Sequence, residues 1–157
     1  MEIADLLTGP EAVLASVKTS GKKALLAELA SRAASVFGLE ERRLFDRLIE
    51  REALGSTGIG GGIAIPHGRL PNLTQPRGLF ARLGTPIDFD SIDGRPVDTV
   101  FLLLAPEGAG ADHLKALARV SRLLRDRTLV EKLRATEKAD ALYALLIEPS
   151  IPAQSAA

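Results

Sequence analysis

Cysteine is absent from this chain. That excludes disulfides, thiolate nucleophiles and thiolate metal sites. Histidine is scarce, with only His67 and His113. A metal site without cysteine needs carboxylates at ligand spacing, and none stands out near either histidine. Net charge is also missing. Twenty basic residues balance twenty acidic ones, so no global field draws nucleic acid or an anionic membrane surface. No apolar run approaches the ~18 residues needed to cross a bilayer. The opening Met1-Glu-Ile-Ala-Asp5 is acidic and lacks the basic flank and long apolar core of a signal peptide. The expected setting is cytoplasmic, with no membrane insertion.

What is there suits one globular domain. The chain has 157 residues, 46% hydrophobic and 25% charged, enough for a real core. The expected domain spans residues 1–148, and residues 149–157 read as a disordered polar tail. No internal repeat or linker interrupts it. A turn of helix is expected at 3–7, a strand at 12–17, and helices at 20–37 and 40–53. Leu25, Leu29, Ala33 and Val36 recur at helical spacing, and Gly38 stops the first of these helices. Strands are expected at 63–65 and 78–83, with a short edge strand or extended chain at 85–90. Asp93-Gly94 signals a turn. Residues 97–105 form the clearest buried strand. Asp112 is the expected cap of a helix opening with His113, whose inward residues are Leu114, Leu117, Val120, Ser121 and Leu124. Helices at about 128–134 and 137–147 follow, the last capped by Thr136. Helices, then strands, then helices predict an α/β domain, a mixed sheet flanked by helices.

One stretch organises the rest. Gly55, Gly58, Gly60, Gly61 and Gly62 crowd into eight positions, and glycine lets a ligand approach backbone N–H groups. Ile63-Ala-Ile65 then reads as a short buried strand. Pro66 cannot donate to a ladder and should end it. His67 is thereby presented where a strand leaves a sheet, beside a loop rich in backbone donors that can hold an anion. Arg51 adds a cation from the last turn of the preceding helix. A neutral imidazole in such a place can attack a phosphoryl group; the alternative is a structural histidine. His113 alone stays ambiguous, since the first turn of a helix can simply be exposed.

Nucleotide motifs do not fit this loop. A Gly-x-Gly-x-x-Gly from Gly58 or Gly60 would need glycine where Ile63 or Ile65 stands, and a P-loop from Gly55 would need lysine where Gly61 stands. No Gly-x-Ser-x-Gly elbow exists. The basic series Arg119, Arg122, Arg125 and Arg127 reads as a solvated face, with docking of an acidic partner as the alternative.

The run Leu54-Gly-Ser-Thr-Gly-Ile-Gly-Gly-Gly-Ile-Ala-Ile-Pro-His67-Gly68 resembles the active-site signature of the fructose/mannitol class of enzyme IIA in the bacterial phosphoenolpyruvate-dependent phosphotransferase system. More narrowly it is similar to the nitrogen-regulatory type. Arg51-Glu52, the 86–98 stretch, the strand 100–104 running into Ala105-Pro106-Glu107, and His113-Leu114-Lys-Ala-Leu117 fit that type. Gly61 departs from it, standing where asparagine is common. The resemblance covers about residues 3–147. It implies that His67 carries the phosphoryl group on Nε2. It implies too that His113 lies beside it and hydrogen-bonds the phosphate, and that Arg51 supplies positive charge.

The expected mechanism is in-line attack by Nε2 of His67 on the phosphohistidine of an HPr-like carrier. The N–H groups of a cradle from Ser56, Thr57, Gly58, Gly60, Gly61 and Gly62 would share charge stabilisation with His113 and Arg51. A backbone carbonyl, not identifiable from sequence, should hold Nδ1–H. No metal, nucleotide or other cofactor is implied. The regulatory reading has phosphorylation state controlling partner proteins, which the family suggests include potassium-transport and sensor-kinase systems. Two alternatives are a sugar-uptake enzyme IIA passing phosphate to a IIB domain, and a non-phosphorylated binding module of the same fold. No IIB or IIC domain is read in the chain, so output through protein surfaces is expected.

Overall fold

A computed structural model describes residues 1–148; the expected tail lies outside the described residues. A short helix α1 (Ile3–Leu6) and a 3-10 turn (Pro10–Ala12) lead into β1 (Val13–Val17). Two helices follow, α2 (Lys22–Phe37) and α3 (Glu41–Ala53). Gly38 ends α2 in the left-handed conformation (φ 69°), which glycine adopts without strain. Then come β2 (Gly58–Gly60), β3 (Ile63–Ala64), β4 (His67–Leu70), β5 (Arg77–Ile87) and β6 (Val97–Pro106). Helices α4 (Gly110–Leu124), α5 (Arg127–Arg134) and α6 (Ala139–Ile147) complete the fold.

The six strands form one mixed sheet in the order β1-β5-β6-β3-β2, with β4 also paired to β6. Strand β6 is its axis. It runs antiparallel to β5 on one side and parallel to β3 and then β4 on the other. Its residues 99–105 are all buried, as expected of a strand covered on both faces. Helices α2 and α3 pack on each other and reach β5 and β4; α4 packs on β6 and α6 on β1. The core gathers Phe80, Phe89 and Phe101 with leucines from every long helix.

Five local expectations change. The strand does not leave the sheet at Pro66. Pro66 lacks an N–H but its carbonyl accepts from Leu103 N–H (2.9 Å), so pairing with β6 resumes and His67 opens β4. Segments 78–83 and 85–90 are not separate strands. One strand runs through to Ile87, with a register shift between Arg82 and Ile87 around the exposed residues 84–86. Asp112 does not cap α4: the helix starts at Gly110, and His113 N–H donates to Ala109 O (2.9 Å). Leu114 points to solvent, because the buried stripe of α4 is His113, Ala116, Val120 and Leu124. Thr136 does not cap α6. Its hydroxyl donates back to Lys132 O (2.6 Å), and α6 begins only at Ala139.

Candidate functional site

Helix α3, strand β4 and the first turns of α4 meet at one shallow cleft of about 370 Å³. Arg47, Glu50, Arg51 and Leu54 line it at i, i+3, i+4 and i+7, one face of the end of α3. His67 and Arg69 enter from β4 two residues apart, which puts them on one face of the strand. Gly68 lies between them and faces α3, where a Cβ would make ordinary contact, 3.8 Å, with Arg47 and Leu48. His113 closes the cleft from α4.

The tautomer of His67 follows from its neighbours. Arg51 Nε lies 3.2 Å from His67 Nε2. Arginine only donates, so Nε2 must present its lone pair and the proton sits on Nδ1. That Nδ1–H donates to Ile65 O at 2.8 Å. Ile65 supplies the carbonyl that sequence could not name. The same guanidinium is steadied by Nη1 donating to Gly55 O (2.9 Å). Burial pushes the His67 pKa below its ordinary 6.5, and Arg51 and Arg69 press the same way; the Ile65 carbonyl and Glu52 oppose them. The ring is therefore neutral at pH 7.

His113 is not exposed, as it could have been: only 5% of it is accessible. Its ring centroid is 5.5 Å from that of His67, tilted by 53°. Its Nδ1 is buried without a hydrogen-bond partner among the described residues, which leaves outward hydrogen bonding to Nε2. Burial, then the charge a protonated His67 would carry, then Arg69, lower its pKa to about 4.

The glycine loop has another job. Gly60 and Gly61 line a second cavity rather than the His67 cleft. Three of the six N–H groups expected to form a cradle are already held: Thr57 N–H by Glu52 (3.1 Å), Gly58 N–H by Ser56 Oγ (3.0 Å) and Gly61 N–H by Asp93 (2.9 Å). Ser56 Oγ itself donates to Phe89 O (2.6 Å). The run is a tight hairpin, with φ of 98°, 67° and 84° at Gly60, Gly61 and Gly62. Gly62 also makes room, since a Cβ there would meet Arg134 Nη2 at 2.5 Å. Arg134 donates to Asp98 and to Gly61 O, pinning the hairpin to α5. None of Ser56, Thr57, Gly58, Gly60, Gly61 and Gly62 lines the His67 cleft, where the guanidinium groups of Arg47, Arg51 and Arg69 stand.

Two features at the site escaped sequence reasoning. Arg69 was readable from strand alternation once His67 belonged to a strand. Glu52 was not. Its side chain is 5% exposed, pairs with Lys22 Nζ at 2.9 Å, and accepts from both the N–H and the hydroxyl of Thr57. It anchors the end of α3 to the loop that feeds Ile65, because Ile65 N–H donates to Thr57 O (3.0 Å).

The fold and cleft together define a mixed α/β domain that presents a neutral histidine with a second histidine and arginines beside it. Residues 7–148 match the family described as phosphoenolpyruvate-dependent sugar phosphotransferase system, EIIA 2, and the chain belongs to that family. Proteins of this family transfer a phosphoryl group through a histidine. Within it the similarity is to the nitrogen-regulatory type. The chain is 58% identical over 149 residues to a nitrogen regulatory protein of Bradyrhizobium diazoefficiens, covering 95% of this chain and 97% of that one. It is 41% identical over 139 residues to a nitrogen regulatory protein of Klebsiella oxytoca (88% and 86% covered). The crystal structure of nitrogen regulatory protein IIA-Ntr from Neisseria meningitidis superimposes with a TM-score of 0.85 at 34% identity, over 92% of this chain and 98% of that one. Among the described residues no helix is long and apolar enough to cross a membrane.

Proposed function

We propose that this protein accepts a phosphoryl group on Nε2 of His67 from the phosphohistidine of an HPr-like carrier. Its phosphorylation state then governs regulatory partners, such as potassium-transport or sensor-kinase systems. One observation carries the reading: Ile65 O holds Nδ1–H and so aims the Nε2 lone pair into a cleft walled by Arg47, Arg51, Arg69 and His113. In transfer, the P–N bond to the donor imidazole breaks and its electron pair returns to that ring, while the P–Nε2 bond forms. The proton on Nδ1 stays, and the Ile65 carbonyl stabilises the positive charge the ring acquires. Arg51 must release Nε2 first; its guanidinium can then donate to the phosphoryl oxygens it has made way for. His113, kept neutral, can donate to the same oxygens through Nε2.

Exposed apolar groups beside the cleft support a protein donor rather than a small one. Leu54, which lines the cleft, is 85% accessible, and Leu114, next to His113 in the chain, is 63% accessible; large exposed apolar side chains grouped together mark protein–protein contact sites.

The test is incubation with the phosphocarrier, its enzyme I and phosphoenolpyruvate. Mass spectrometry should show one acid-labile, base-stable phosphate on wild type and none on His67→Ala. His113→Ala and Arg51→Ala should slow transfer without removing the site. Each lost charge-assisted hydrogen bond costs on the order of 1.5–3 kcal/mol. Equal labelling of wild type and His67→Ala would sink the assignment, and loss of label only in His113→Ala would exchange the two roles.

A further inference from the structure

A second cavity, about 530 Å³, shares no residue with the His67 cleft. It opens between the glycine hairpin and the α4–α5 turn. Its floor is apolar: Ile63, Leu124 and Val130 are each less than a tenth exposed. Its walls are cationic. Arg95 comes from the turn before β6, and Arg125 and Arg127 flank the turn between α4 and α5. Among the described residues, none of these three has a carboxylate within 4 Å. Arg134 also lines the cavity, but its charge is held by Asp98. Glu131 is the one acidic lining residue, so three uncommitted guanidinium groups face a single carboxylate.

We propose that this cavity binds a small molecule carrying two or more phosphates on a flat apolar body, a nucleoside polyphosphate in chemical class. Guanidinium forks match phosphate oxygens bidentately. The volume lies within the ~300–1,000 Å³ typical of small-molecule sites, and an apolar lining with a few placed polar groups is their usual make-up. The floor takes the body and the arginines take the phosphates. No glycine-rich phosphate motif is involved; the hairpin contributes a wall, and its turn is fixed by Asp93 and Arg134.

The experiment is calorimetric titration of the full chain with ATP and, separately, with inorganic tripolyphosphate, at low and high salt. Wild type and His67→Ala should bind ATP alike, in the sub-millimolar range, and more weakly as salt rises. The double variant Arg125→Ala/Arg127→Ala should bind at least tenfold more weakly, and Arg95→Ala should do so independently. These side chains hold no carboxylate partner, so the variants should keep wild-type circular dichroism and melting. Absence of ATP binding, unchanged binding in the arginine variants, or loss of binding in His67→Ala would each overturn the site. Tripolyphosphate binding as tightly as ATP would overturn the role of the apolar floor.

Discussion

Two of the three consecutive glycines in the hairpin have different reasons for being glycine. Gly61 sits at φ 67° with nothing within 4 Å of a built Cβ. Asparagine tolerates that left-handed well, so the turn could accept asparagine there without changing. Gly62 sits at φ 84° against Arg134 and Asp98, so a side chain there is both strained and obstructed. Chemical denaturation should show Gly61→Asn within about 0.5 kcal/mol of wild type. Gly62→Ala should lose about 1–3 kcal/mol through backbone strain, with a further loss from the displaced Arg134. Equal losses at the two positions would contradict this division. The histidines give a second prediction at the same scale. His113 has a folded pKa of about 4 against 6.5 as its ordinary value. Above pH 6.5 the ring is neutral in both states and contributes nothing to the pH dependence. As pH falls from 6.5 towards 4 the unfolded chain takes up a proton that the folded chain refuses, so stability must fall across that window. Melting temperatures at pH 7 and pH 5 should differ more for wild type than for His113→Gln; matching differences would remove His113 as the cause.

The elements decided what sequence could and could not reveal. Helices α2 and α3 and strand β6 were legible because their apolar spacing and the stop at Gly38 are local signals. The glycine run was visible but its purpose was not. Three of its N–H groups, those of Thr57, Gly58 and Gly61, are held by Glu52, Ser56 and Asp93, contacts reaching as far as 32 residues along the chain. Strand β4 was hidden behind Pro66, whose missing donor suggested an end although its carbonyl keeps the ladder going. His67, Arg51 and His113 were nonetheless brought to one cleft, since each sits near the end or start of a recognisable element. Strand pairing also explains Gly78. A Cβ there would lie 2.6 Å from the ring of Phe101 on the central strand, and Phe101 is fully buried. Gly78→Ala should overpack the β5–β6 contact and cost typically 1–3 kcal/mol. The companion change Phe101→Leu should recover part of that loss in a double-mutant cycle. Strict additivity would mean that the two positions do not contend for the same space.

For the molecule as a whole, the charge that the proposed phosphorylation would bring falls among arginines with exposed leucines nearby. The phosphoryl oxygens carry roughly −1.5 to −2 charge. They would arrive among Arg47, Arg51 and Arg69, with Arg47 already tied to Glu107 at 2.9 Å. Beyond these lie Leu54 and Leu114, too exposed to serve the core. If partners read the face as one unit, the leucines should set encounter affinity while His67 sets the chemistry. Leu54→Glu and Leu114→Glu should therefore raise the concentration of phosphocarrier needed for half-maximal transfer. A buried interface anchor typically costs more than 1 kcal/mol when removed, which is about a fivefold change. The maximal labelling of His67 and the melting temperature should stay at wild-type values, because neither leucine packs in the core. His67→Asp places a fixed negative charge at the centre of the same face. It should shift capture of regulatory partners relative to His67→Ala, and the leucine variants should weaken capture by both. Leucine variants that transfer with unchanged concentration dependence, together with partner capture identical in His67→Ala and His67→Asp, would leave the cleft as a reaction centre without a reading surface around it.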